Sequence, residues 1–341
     1  MPRTINDSEI RITSTGAIVL AKGIAVDGYM DSSIVRVVTH IHSDHILGLE
    51  KDIKNRRSIV ATPLTHDMLE ILGYSMGPRQ KIKLPYDIGY KVECGKLVLR
   101  RTNHIPGSCM VMLECSQGLY GYTSDFKLPG TFIPQEPDIL VIDATYGRKE
   151  WRRPWQEEIN ELLVDAVLDG LSKGPVYLYG YNGKLEEVMI LLRSRGVEAP
   201  FIVPFKTFLI AKTLEKHGYS LGMVYHEDDH RVHEIARDGW FIAFEHLYEW
   251  RRRRSIIRGY KKPTHILLTG WEFREPIRRL SENEWIISFS DHADFSQLVE
   301  YIEEARPKFV IVDSYRGRSG AEYFASYLVK KLNIPARTMP Y

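Results

Sequence analysis

Three histidines and one aspartate fall within six residues in Val38-Thr-His-Ile-His-Ser-Asp-His45, directly after the apolar run Ser33-Ile-Val-Arg-Val-Val38. The run reads as a strand, so the polar cluster lies in the loop that leaves it, where a rigid sheet presents reactive side chains. Imidazole and carboxylate are the ligands that suit zinc and similar divalent ions. Their spacing lets one loop serve two neighbouring ions, which makes His40, His42, Asp44 and His45 candidate ligands. A lone His-x-His would carry little weight. Three histidines and an aspartate within six residues are rarely a structural accident.

Two later residues suit the same role. His104 stands in Asn103-His-Ile-Pro-Gly-Ser108, after a strand and before a Pro-Gly turn, and Asp125 closes the strand that ends Tyr122-Thr-Ser-Asp125. Either alone reads more readily as a turn or capping residue. Downstream of the histidine cluster, the two together complete a ligand set.

Composition narrows the rest. Lys plus Arg (46) nearly balance Asp plus Glu (44) in 341 residues, leaving a formal charge of +2. A nucleic-acid partner must therefore be argued from local charge. Cys94, Cys109 and Cys115 are odd in number and lack Cys-x-x-Cys spacing, which argues against a disulfide framework and a cysteine zinc site. They read as small buried hydrophobes in a reducing compartment. No apolar run approaches the roughly 18 residues of a membrane span, and the N-terminus lacks a signal-peptide pattern. The expectation is a soluble, cytoplasmic protein without a membrane partner.

The chain changes texture twice. Residues 16–21, 33–38, 96–101, 110–114 and 138–143 read as short strands, interrupted by a helix at 65–72. From Trp155, helices at 155–171, 184–195 and 205–216 alternate with strands at 175–179 and 201–203, the order of a parallel α/β unit. Strands at 265–268, 285–288 and 309–312 follow, with helices at 295–305 and 320–332. The fold class is α/β.

With these residues in view, the chain resembles the metallo-β-lactamase superfamily. The resemblance implies an αββα sandwich in which His40, His42 and His104 bind one ion, Asp44 and His45 a second, and Asp125 both. The ions implied are one or two Zn2+, with Mg2+ or Mn2+ possible at the second position. Asp143-Ala-Thr-Tyr-Gly147 and Ser288-Phe-Ser-Asp-His-Ala-Asp294, separated by a helix-rich stretch, are similar to motifs of the β-CASP branch, whose members cleave nucleic acids. Within it, Gly183-Lys184 and Thr269-Gly-Trp271 are similar to elements of the Artemis-like DNA repair nucleases and of bacterial ligase-associated DNA exonucleases. The similarity runs from about Ile34 to Val312. The implied layout is a sandwich domain over 1–165 and 271–341 with an inserted α/β β-CASP domain over 166–270.

The site residues follow. Asp44, Asp143 and His292 are the catalytic candidates: Asp44 would orient water, and His292 would donate a proton or contact phosphate, unless it is a structural histidine. Gly183 and Lys184 follow a strand and open a helix, where free N–H groups and a lysine attract phosphate. Ser290 adjoins His292. Trp271 would stack on a base or pack internally. Arg251 and Arg252, in the tract Trp250-Arg-Arg-Arg-Arg254, would track a nucleic-acid backbone. Asp313, where RNA-processing relatives place a histidine, is a further ligand candidate, and its register could shift to Ser314. The expected activity is a metal-dependent phosphodiesterase cleaving DNA, a 5′-to-3′ exonuclease on 5′-phosphorylated single strands or duplex ends in repair, with a repair protein as a possible partner. RNA is the alternative substrate, and a small-molecule esterase or lactonase the alternative activity.

Overall fold

The computed structural model describes residues 10–251 and 262–340. The chain divides into two compact units, Met1–Arg152 with Asp291–Tyr341, and Arg153–Ser290. Its elements are mixed α/β, as expected.

The first unit holds two sheets. One has six strands in sequence order, Arg11–Ile12, Ile18–Ala21, Ile24–Val26, Val35–Val37, Ser58–Ala61 and Lys81–Lys83. Its last four strands are parallel. Parallel neighbours need crossovers; the last two pass through the helices Leu49–Lys54 and Pro63–Ile71. The other sheet has seven strands. An antiparallel meander, Gly89–Val92, Gly95–Arg101, Cys109–Cys115 and Gly118–Tyr122, continues into the parallel strands Ile139–Ile142, Val310–Asp313 and Ala336–Met339.

Side-chain alternation decides what each face covers. Leu97, Leu99, Cys109, Val111 and Val141 pack with Ile18, Leu20, Val26, Val37 and Val60 in one core between the sheets. Val98, Met110, Met112, Leu140 and Val312 point the other way and pack on Phe295, Leu298 and Phe324. These belong to the helices Phe295–Ala305 and Ser314–Tyr327. Arg36 also points away from the intersheet core, and its fully buried guanidinium reaches Asp52 on the helix Leu49–Lys54 at 3.2 Å. Asp52 is shared with Arg57 at 2.5 Å. A helix is thus tied to the outer face of the first sheet by charge as well as by its buried Leu49.

The second unit is built on one seven-stranded sheet in the order Val224–His226, Phe201–Val203, Ile242–His246, Val176–Gly180, Thr264–Leu268, Glu284–Ile287, Ile277–Ser281. All pairs are parallel except the terminal hairpin. Its strands Val176–Gly180 and Phe201–Val203 are buried along their whole length, as expected for a parallel sheet. This unit is wider than the span 166–270. The helix Ile159–Lys173 packs on the strands Val176–Gly180 and Thr264–Leu268. The strands after residue 270 complete the same sheet.

Among the described residues, no helix is long and apolar enough to cross a membrane. The Arg36–Asp52–Arg57 cluster makes a stability prediction. Asp52→Ala leaves the buried Arg36 guanidinium uncompensated, so urea unfolding should show a loss of roughly 3–5 kcal/mol.

Candidate metal centre

Every residue of the histidine cluster leaves the C-terminal end of the strand Val35–Val37, on a loop held from both sides. Arg36 Nη2 donates to the carbonyl of His45 at 2.9 Å and of Leu47 at 3.5 Å. Arg316 Nη2 donates to the carbonyls of Asp44 and Asp27 at 3.1 Å and of Gly16 at 3.2 Å. Asp27, buried and with φ 41°, accepts from Thr39 N at 2.9 Å, Thr39 Oγ1 at 2.5 Å and His45 Nδ1 at 2.8 Å. Ligating histidines commonly have the far ring nitrogen tied to a carboxylate or carbonyl, which fixes ring and tautomer. His104 follows the same rule: its Nδ1 donates to the Asp291 carbonyl at 2.7 Å, so Nε2 carries the lone pair. His40 Nδ1 rests against Thr39 Oγ1 at 3.1 Å, itself bonded by Ser124 Oγ at 2.7 Å.

The inward atoms converge. His40 Nε2 lies 3.5 Å from Asp125 Oδ2, His45 Nε2 3.2 Å and His104 Nε2 3.7 Å. His104 Nε2 and His42 Nδ1 are 3.1 Å apart. Two ligands about 2.0–2.2 Å from one tetrahedral ion sit about 3.3 Å from each other, close to these spacings. His40, His42, His104 and Asp125 therefore could hold an ion, each offering one atom within 4.8 Å of the others. His40 Nε2, His45 Nε2 and Asp125 Oδ1 are buried without a hydrogen-bond partner. Such orphaned groups are costly, and a divalent cation at their focus would satisfy all three.

Charge is distributed unevenly over the rings. Burial, with His45 and His104 nearby, holds His40 well below the usual histidine range. Burial likewise lowers His42, and it takes His104 to about 3. Burial also opposes charge on His45, yet the Asp125 and Asp44 carboxylates override it and raise that ring to about 10. His292 behaves alike, raised against its burial to about 9 by Asp125 and by its bond to Asp143. Burial would raise Asp125, but His45 and His292 hold it well below the usual carboxylate range.

His292 joins the cluster from a distant part of the chain. Its Nδ1 meets Asp143 Oδ2 at 3.0 Å, and its Nε2 lies 3.7 Å from Asp125 Oδ2. Asp143 Oδ1 is occupied by Thr145 N at 2.9 Å and Thr145 Oγ1 at 2.8 Å. The loop after Asp143 is seated by Gly147 and Gly320: a Cβ on Gly320 would lie 2.6 Å from the Ala144 carbonyl.

The remaining candidates are placed elsewhere. Asp44, half exposed, lies 3.5 Å from His45 Nε2 and 3.7 Å from Arg316 Nε. Asp313 does not enter the cluster. It caps the helix Ser314–Tyr327 through Tyr315 N (2.9 Å) and Arg316 N (3.3 Å) and pairs with Arg316 Nη1 at 2.8 Å. At the start of the helix Lys184–Ser194, the expected free N–H is already taken. Gly183 N donates to the buried Glu186 carboxylate, which burial raises to about 7. An acid stands where a phosphate oxygen was expected, and Lys184 is buried beside it. Ser290 is buried, and Trp271 is 60 % exposed near Phe273. Arg251 ends a 3-10 turn, and Arg252 lies outside the described residues.

Asp27, Arg36, Ser124 and Arg316 escape the sequence reading. Arg36 carried one usable signal, a charge inside an apolar strand. Asp27 and Arg316 are brought in only by tertiary structure.

No protein-family model matches the chain. A protein of Acidianus ambivalens described as an "Uncharacterized protein in lig 3'region" is 38% identical over 137 residues, 40% of this chain and 98% of that protein. The DNA cross-link repair protein SNM1 of Arabidopsis thaliana is 23% identical over 312 residues, 83% of this chain and 61% of that protein. RNase aCSPSF2 of Saccharolobus solfataricus is 23% identical over 330 residues, covering 79% and 66% respectively. The chain thus spans under two thirds of the length of SNM1 and of this RNase. A crystal structure of an Enterococcus faecalis protein of unknown function superposes on 92% of the chain with a TM-score of 0.62 at 11% identity, a likeness of fold. The chain's relatives thus include SNM1/Artemis nucleases and RNase aCSPSF2, members of the β-CASP metallo-β-lactamase family, at about 23% identity.

Removing the carboxylate behind His45 should loosen the centre without abolishing it. Asp27→Ala is expected to lower divalent-metal affinity about 10- to 100-fold, read by chelator competition. A melting curve of the metal-free protein separates this from lost stability.

Proposed function

We propose that the chain is a metal-dependent phosphodiesterase of DNA repair that trims DNA from 5′-phosphorylated ends. The observation that carries this reading is the convergence of orphaned nitrogens from His40 and His45 on Asp125, with His292 and Asp143 alongside. In this reading the two sheets of the first unit are the αββα sandwich, and Arg153–Ser290 is the inserted β-CASP domain. The kinship with SNM1 supports DNA as substrate; the 5′ polarity comes from the likeness to Artemis-like nucleases.

His40, His42, His104 and Asp125 would hold one zinc ion. Asp44 and His45, together with Asp125, would hold a second ion, Zn2+, Mg2+ or Mn2+. Asp313 is assigned to holding Arg316 rather than to metal. A divalent ion in such a setting polarises a phosphoryl oxygen and makes water a nucleophile near neutral pH. Asp44, half exposed beside His45, accepts a hydrogen bond from the attacking water and orients it. Water adds to phosphorus as the P–O3′ bond breaks, and the proton for the departing 3′-oxygen comes from His292. Asp143 holds that ring through Nδ1, leaving Nε2 toward the reaction. The shortened strand keeps a new 5′-phosphate, so each product is again a substrate.

End-labelled DNA with a 5′-phosphate should be degraded faster than the 5′-hydroxyl form, faster than a matched RNA strand, and not at all with chelator. Preferential cleavage of RNA would overturn the DNA assignment. His292→Ala should cut the rate by about 100- to 10,000-fold without loss of bound metal. Asp125→Ala should abolish both cleavage and metal retention, so a metal-free yet active Asp125→Ala protein would sink the centre itself.

A further inference from the structure

The two halves of the metal centre are not equally gathered. Among the described residues, His40, His42, His104 and Asp125 each bring one atom within 4.8 Å of the others, whereas Asp44 and His45 join no such group. A cation already stands beside Asp44. Its Oδ2 lies 3.5 Å from His45 Nε2 and 3.7 Å from Arg316 Nε, so one oxygen faces both a candidate ligand of the second ion and a guanidinium.

Arg316 is held in that place. Nη1 pairs with Asp313 Oδ2 at 2.8 Å, and Nη2 donates to the carbonyls of Gly16 at 3.2 Å and of Asp27 and Asp44 at 3.1 Å. Nε is left over: it is buried without a hydrogen-bond partner, on a side chain only 4 % exposed. A buried N–H in this state is costly and draws an acceptor within reach. The Asp44 side chain, 50 % exposed, has room to close the gap.

Charge works in the same direction. A guanidinium keeps its proton in proteins, so Arg316 is a permanent cation, and like charges act strongly on one another where little water screens them. Arg316 therefore opposes a divalent ion at Asp44 and His45 while drawing the Asp44 carboxylate to itself. Asp313 neutralises the guanidinium through Nη1 and leaves Nε toward Asp44.

We propose that Arg316 governs the second ion position by competing with the ion for Asp44. The centre then binds one ion tightly at His40, His42, His104 and Asp125, and a second one weakly and exchangeably. This rests on the metal-centre reading of the proposed function and adds what sets its ion count. Arg316 is a positioning residue here, acting through Asp44.

The intact protein is loaded with one equivalent of Zn2+ and titrated with Mn2+, and free Mn2+ is read by electron paramagnetic resonance. The parent protein should keep its zinc through dialysis and take up Mn2+ weakly. Exchanging the ion pair for a neutral hydrogen-bonded pair, Asp313→Asn with Arg316→Gln, should tighten Mn2+ binding about 10- to 100-fold, the scale on which groups behind a ligand act, with zinc retained. Adding Asp44→Asn should cancel that gain, because Asp44 is the shared carboxylate. A role of Arg316 confined to holding loops gives a loss of affinity, not a gain. Asp313→Asn alone leaves Arg316 charged without its neutralising carboxylate and should weaken Mn2+ binding, which keeps the test decisive if melting curves show the double variant unfolded. Tight binding of two ions by the parent, no gain in a folded, zinc-retaining double variant, or unchanged Mn2+ affinity in Asp313→Asn each overturns this role of Arg316. Degradation of 5′-phosphorylated DNA by the parent protein, measured alongside, tests the nuclease reading separately. A parent protein that retains no zinc overturns both.

Discussion

The loop at 38–45 carries four ligand candidates, and its backbone carbonyls are held by two buried guanidiniums, Arg36 from beneath the strand and Arg316 from the helix after Asp313. Each guanidinium is itself neutralised by an aspartate, Asp52 or Asp313. Planar guanidinium groups hold several carbonyl and carboxylate acceptors in fixed directions, which lysine does not. The loop is thereby rigid before any ion arrives. Loose ligands would cost the ion ordering entropy on binding; these side chains are already aimed. The dependence runs outward as well, since Arg316 also reaches Gly16 and Asp27, so one cation ties three chain segments to the same point.

The sequence displayed the candidate ligands more clearly than the means of holding them. His40, His42, His45, His104 and Asp125 stood out as candidates because ligand chemistry restricts residue type and because each follows an apolar strand. The helices Phe205–Lys216 and Phe295–Ala305 lie about where the sequence placed them. The strand Ile242–His246 was not read from the sequence. Asp27 was hidden too: an Asp-Gly pair after a strand looks like a turn, and only the approach of Thr39 and His45 makes it a ring anchor.

At two candidate positions a buried acid finds its partner inside its own element. Asp313 sits at a strand end like the other aspartates, but a helix starts at the next residue, and capping plus Arg316 consume its oxygens. Gly183-Lys184 opens a helix as expected, but Glu186 folds back on the Gly183 N–H and fills the anion position from within. A capping residue three positions into a helix is visible in sequence. A glutamate used this way competes directly with any phosphate, so the reading of such a turn as an anion site has to be weighed against it.

The uneven charges on the rings follow from this wiring. His40 and His104 have hydroxyl or carbonyl neighbours at their outer nitrogens and lie among other rings, so burial wins and they stay neutral. His45 and His292 are backed by carboxylates, Asp27 and Asp143, and both face Asp125, so attraction wins and they hold protons. Environment, not residue type, splits identical side chains into two roles. The neutral rings and Asp125 are donors ready for a cation. Under the proposed function, the two backed by carboxylates would be those whose protons are exchanged, for a second ion at His45 or for a leaving oxygen at His292. The carboxylates behind them, more than the histidines themselves, decide where in the centre positive charge can sit.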